Sequence, residues 1–190
     1  MVQLPIRFHD DGRKVTFHFG AILVSCPRCN HAARISKIDE GPQEYPLYAP
    51  RRFQCFACGH SSRCGKSSPN SRPNGPVIDP YFGLPLWLQI NTRHGILYAY
   101  NAEHLEWLCL FVEARLRERR ADEWGWTNSM AARLPRWVKL AKNRDEVLRG
   151  LGRLRRRLAA ANPVNTARRN GNSPDGHSVA VTYMCRLIRK

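Results

Sequence analysis

Acidic residues are scarce in this chain of 190 residues: 15 Asp and Glu stand against 31 Lys and Arg, a formal net charge of +16. A compact protein so charged repels itself unless a polyanion or solvent absorbs the field, which makes nucleic acid the expected partner class. Long apolar runs are also missing, so no membrane-spanning helix is expected. The first residues, MVQLPIRFHDDGRKV, hold no apolar segment and carry Asp10 and Asp11 early, unlike a secretory signal. A cytoplasmic setting is therefore expected, in which thiols stay reduced and free to bind metal. A phosphate-binding loop is lacking too. The run GHSSRCGKS at 59–67 has five residues between its glycines where four are required, and it leads into SPNSRPNGP, which cannot open a helix. No small-molecule substrate and no enzymatic activity are expected.

Cysteines are few, seven in all, yet four fall in two pairs of matched spacing: CPRC at Cys26 and Cys29, and CFAC at Cys55 and Cys58. Each pair suits a tight turn that aims two thiolates at one tetrahedral ion. Such a turn needs a residue tolerant of positive φ after its second cysteine, and Asn30 and Gly59 stand there. The segments AILV and RRFQ before the turns, and ARISKI after the first, read as short strands. The pattern is that of a zinc ribbon with a structural Zn2+, because four thiolates leave no coordination position open. A redox dithiol would need one pair within a βαβ unit, which is absent. His31 and His60 read as turn residues or as hydrogen-bonding neighbours of the ligands, and Cys64 as a spare thiol or an exchange partner.

The expected fold class is α+β: a zinc ribbon of short antiparallel strands over 1–66, a linker over 67–80, then a β-hairpin and two longer helices over 81–161. A flexible tail is expected over 162–190. LPLWLQI and GILYAY flank the hairpin turn. Asn101 reads as the N-cap of a helix running to about Arg120, with an inner stripe of Leu105, Leu108, Cys109, Val112 and Leu116. The stretch ADEWGWTNSMAARL reads as a loop. Pro135 opens the second helix, whose stripe is Val147, Leu148, Leu151, Leu154 and Leu158, and Asn162 with Pro163 stops it. The tail could end in a strand, SVAVTYMCRLIRK, and Cys185 has no assigned role.

Residues 131–161 hold ten basic side chains and two acidic ones. Arg136, Lys139, Lys142, Arg149, Arg153, Arg155, Arg156 and Arg157 are the candidate phosphate contacts, since a merely solvated helix face intersperses both signs. Arg28, Arg51 and Arg52 near the cysteine turns are further candidates. Phe53 and Phe56 could add base stacking or simply fill the core.

Taken together, CPRC, CFACGH, LPLWLQ, ILYAYNAEHLEWL and LPRWVKLAKNRDEVL resemble a family of small bacterial zinc-ribbon proteins labelled replication-restart (primosomal) helicase-like. The resemblance spans roughly residues 20–160 and implies zinc on Cys26, Cys29, Cys55 and Cys58 with a nucleic-acid-associated role, DNA or RNA. It does not imply a motor: the chain lacks a P-loop, is too short for a helicase core, and has one four-cysteine set where the helicase zinc region has two. Two other classes are considered. A protein-interaction adaptor could use Trp87, Trp107, Trp124, Trp126 and Trp137 as anchors. A ββα-metal nuclease could use His94, Asn101 and His104.

Overall fold

The computed structural model describes residues 6–38, 46–64, 77–118 and 129–161. The linker expected over 67–80 lies outside them as far as 76, as do the tail from 162, the C-terminal strand and Cys185. Within them the chain is a mixed α/β structure. Its first strand, β1 (Arg7–His9), is followed by a 3-10 turn (Val15–Gly20) and by β2 (Ala21–Ser25), β3 (Ala32–Lys37), β4 (Arg51–Cys55) and β5 (Ser61–Cys64). The last four form one antiparallel sheet in chain order. Alternation sets its faces: Ile22, Ile35 and Phe53 lie in one buried row, and Val24, Ala33 and Cys55 in the next.

That buried face is covered by the segment from Val77 to Leu86, which contributes Tyr81, Phe82, Leu84 and Leu86. Asp79 makes this loop possible. Its buried carboxylate accepts hydrogen bonds from the backbone N–H groups of Tyr81, Phe82 and Leu84 at 2.6 to 2.8 Å. Burial pushes its pKa up, against the pull of those three donors. The same segment then runs along the edge of β2, where Ser25 N–H bonds Pro85 O and Trp87 N–H bonds Leu23 O. The last four residues of the expected linker are thus in part a core-covering element.

The hairpin follows as β6 (Leu88–Thr92) and β7 (Gly95–Ala99), with Arg93 and His94 at the turn. Then comes α1 (Ala102–Glu113), capped as expected: Asn101 Oδ1 accepts from His104 N–H at 2.8 Å. Its side-chain amide also donates to His18 O and Ala21 O, tying the helix start to the N-terminal segment.

α1 ends seven residues short of Arg120. Ala114 turns extended at ψ 128°, and β8 (Leu116–Glu118) pairs in parallel with β1. Leu116 is accordingly exposed rather than part of the helix stripe. Arg117 folds back and donates to Phe111 O at 2.9 Å, so the basic run does serve the negative helix end, though from a strand.

The stretch read as a loop holds a one-turn helix, α2 (Met130–Arg133), capped by Ser129. Pro135 does start a helix, but only the single turn α3 (Arg136–Lys139). The long basic helix is α4 (Arg144–Ala161). Extended torsions at Leu140 (ψ 130°) separate the two.

Val147, Leu151 and Leu154 of α4 pack on Leu105, Leu108 and Val112 of α1 and on Leu88 and Leu97 of the hairpin, forming the second core. Leu148 and Leu158 flank it, and Leu23 of β2 reaches it from the sheet. α4 comes close to the hairpin at Gly150, where a Cβ would lie 2.8 Å from Leu97 Cδ2. No described helix is long and apolar enough to cross a membrane.

Candidate metal centre and basic surfaces

The two cysteine turns are built alike. Cys26 O accepts from Asn30 N–H at 2.9 Å and Cys26 N–H donates to His31 O at 2.8 Å; Cys55 O and N–H repeat both bonds with Gly59 and His60, at 3.0 and 2.8 Å. Reversing the chain this way needs a left-handed residue. Asn30 has φ 58° and Gly59 φ 70°, as their positions led one to expect. The first turn joins β2 to β3 and the second joins β4 to β5. Because β3 pairs with β4, with Ala33 opposite Cys55, both turns sit at one end of the sheet.

Four sulfurs meet there. Cys26 Sγ lies 3.7 Å from Cys58 Sγ and Cys29 Sγ 3.5 Å from Cys55 Sγ, and all four lie within 4.8 Å of one another. A tetrahedral ion such as zinc, bonded to sulfur at about 2.3 Å, requires sulfur–sulfur edges of about 3.8 Å. The residues present therefore fit a metal ion. Cys26 and Cys55 are buried against the sheet core and Cys58 is exposed.

The cluster's own electrostatics favour a cation. At Cys26, burial pushes the pKa up, but the backbone N–H groups of Cys29 and Arg28 and the sulfurs of Cys58 and Cys29 outweigh it and bring it to about 7. At Cys29 the His31 backbone pulls down, while burial and the sulfurs of Cys58, Cys55 and Cys26 push up, to about 12. A thiolate at Cys26 thus opposes ionisation of Cys29, a repulsion that a bound cation would relieve.

The neighbouring candidates stand aside. His31 Nδ1 donates to Cys29 O at 2.9 Å, a turn contact. The His60 ring packs against Phe53 at 5.3 Å. Cys64 is opposite Arg51, four residues along the strand from Cys55 and so about 13 Å away.

The basic residues divide into three groups. Arg51 does not belong to a binding surface: it is 1% exposed, its guanidinium lies 4.2 Å from the Tyr81 ring centre, and it donates to Phe19 O and to Tyr81 Oη. Desolvation lowers its pKa while the Tyr81 hydroxyl raises it. The sequence held the signal, since Arg51 shares the period-two face of Phe53 and Cys55. Arg52, by alternation, faces out, and Arg28 is exposed on the first turn.

On α4 the flanks are occupied. Arg155 pairs with Glu106 at 2.8 Å, and Arg157 lies over the Trp87 ring at 4.2 Å. Lys139 Nζ is held by Ala132 O at 3.0 Å. Arg149, Arg153 and Arg156, spaced four and three, form the exposed stripe and meet no carboxylate among the described residues. Arg136 and Lys142 are exposed on the turns before it. Sequence reasoning passed over Arg34 and Arg63, although alternation with Ala33 and Ile35 marks Arg34 as outward.

His94, Asn101 and His104 are not brought together. His94 stacks on Trp137 at the hairpin turn, whereas Asn101 and His104 lie at the other end of β7, about 20 Å along the strand. His104 is stacked between His18 and Tyr100, its Nδ1 accepting from Tyr100 N–H. The described tryptophans are engaged internally, Trp87 under Arg157, Trp107 against Phe8 and Phe111, Trp137 against His94. Trp124 and Trp126 lie outside the described residues. Compared with protein-family models, with curated proteins and with solved structures, the chain gives no match.

Proposed function

We propose that the chain is a nucleic-acid-binding protein whose N-terminal sheet is a zinc ribbon. Cys26, Cys29, Cys55 and Cys58 hold one zinc ion, and the α4 stripe of Arg149, Arg153 and Arg156 rests on phosphates, with Arg136 and Lys142 beside it. Four thiolates complete the tetrahedral shell, so the ion organises the fold and activates no water, and the protein binds rather than catalyses. Kinship with the primosomal helicase-like ribbon proteins is part of the same proposal.

The observation that supports the partner class is the exposed arginine stripe of α4. Three arginines within two helical turns, with no carboxylate from the described residues offsetting them, are stabilised by an external polyanion. Contacts of this kind give affinity with little sequence information. Elemental analysis of purified protein is expected to return about one zinc per chain. Chelation, or Cys55→Ser, is expected to release the ion, loosen the sheet core to which Cys55 belongs, and weaken gel shifts of DNA or RNA at low salt. Protein that folds fully without metal would refute the first half, and absence of any gel shift at low salt the second.

A further inference from the structure

The outer face of the sheet carries a second set of cations with no ion-pair partner among the described residues, distinct from the helix. Register places Arg34 beside Gln54, and Arg52 between Ser36 and Arg63, on the side opposite the buried row of Ile35 and Phe53. Arg52 and Arg63 stand directly across from each other, an arrangement that like-charge repulsion disfavours. No described carboxylate pairs with either of them or with Arg34. An anion lying across these strands would relieve the repulsion.

Beside Arg34 the sheet meets the ends of α1 and α4 around a recess of about 280 Å3, lined by Leu23, Ala32, Phe56, Ala102 and Leu158 among others. Phe56 is 70% exposed although its backbone is held in the second cysteine turn. An aromatic ring presented at an apolar recess, next to a row of guanidinium groups, matches what a stacked base and its phosphates need.

α4 separates a single strand from a duplex. A helix that reads duplex DNA enters the major groove and needs clear flanks. Here one flank is joined to α1 through Arg155 and Glu106, and the other to the hairpin through Arg157 and Trp87. Only the narrow stripe remains, and the recess can receive a base only when that base is splayed from its stack.

Resting on the nucleic-acid reading above, we infer that the ligand is a single strand, one base of which seats against Phe56 in the recess while its phosphates cross Arg34, Arg52 and Arg63. Fluorescence anisotropy on the full-length protein tests this with oligo-dT and oligo-U of about 20 nucleotides, longer than one such site spans, and a duplex of equal length. At least one single strand is expected to bind about tenfold or more tighter than the duplex. Phe56→Ala is expected to weaken that strand about 5- to 100-fold with duplex binding unchanged, while Phe56→Trp retains affinity. Phe56 is exposed, so circular dichroism should show both variants folded. Full retention of binding by Phe56→Ala, or an equal loss on duplex and single strand, would overturn the inference and leave the broader function standing. Failure of the wild-type protein to bind any of the probes would overturn both.

Discussion

Replacing Arg149, Arg153 and Arg156 together by glutamine removes the exposed stripe of α4 with little other disturbance, because glutamine matches arginine in helix propensity. The formal net charge falls only from +16 to about +13, so the protein as a whole still attracts polyanions and any large effect must be local. If each arginine neutralises one phosphate of a single strand, the slope of log K against log salt flattens by about 0.7 per contact, or about 2 for the three. Taking the wild-type and variant lines to converge near 1 M salt, affinity drops by about 100-fold at 0.1 M and by about tenfold at 0.3 M. Anisotropy titrations across a salt series read both the slope and the intercepts. Arg155→Gln and Arg157→Gln are the controls. Those side chains hold Glu106 and Trp87, so they are expected to lower the melting temperature and leave the slope unchanged. A triple variant whose slope matches wild type, or controls that flatten it equally, would refute the assignment of phosphate contacts to this stripe.

Asp79→Ala leaves three backbone N–H groups of a buried loop unsatisfied and is expected to cost about 3 kcal/mol or more in urea unfolding. Asp79→Asn should cost less, since an amide oxygen still accepts from Tyr81 and Phe82 while its NH2 faces the Leu84 N–H; equal losses would contradict the geometry. Gly152→Ala meets open space beyond the Arg156 side chain and is expected to stabilise by about 1 kcal/mol through helix propensity. In Gly150→Ala the new methyl presses on buried Leu97, so its melting temperature should not exceed wild type. His104 has its pKa lowered to about 3, first by burial and then by His18, whose own value burial also lowers. Below about pH 6.5 the unfolded chain takes up protons that the folded chain refuses, so stability should fall as pH drops from there toward 3, by a few kcal/mol. Folding curves measured for wild type and His104→Phe should diverge over that window; parallel curves would remove His104 as the cause.

Local chemistry was legible before any coordinates. Asn30 and Gly59 were marked by the turn they must make, Asn101 by the cap it provides, and the buried stripe of Val147, Leu151 and Leu154 on α4 by its spacing of three and four. Each depends on neighbours within a few positions, so short-range physics suffices. What failed to read depended on distant partners. The helix after Asn101 stops at Glu113 because β1, more than a hundred residues earlier, offers a parallel strand to Leu116–Glu118. Propensity within RLRERR carries no trace of that pairing.

The amino-acid order alone determined which four sulfurs belong together, because a tight turn is a property of five or six consecutive residues. Only the packed structure decided which arginines remain available. Arg51 and Arg52 are chemically identical neighbours, yet alternation along β4 sends one under Tyr81 and the other to the half-exposed outer face of the sheet. Arg155, Arg156 and Arg157 follow one another on a helix, and what separates them is the position of α1 on one side and of the hairpin on the other.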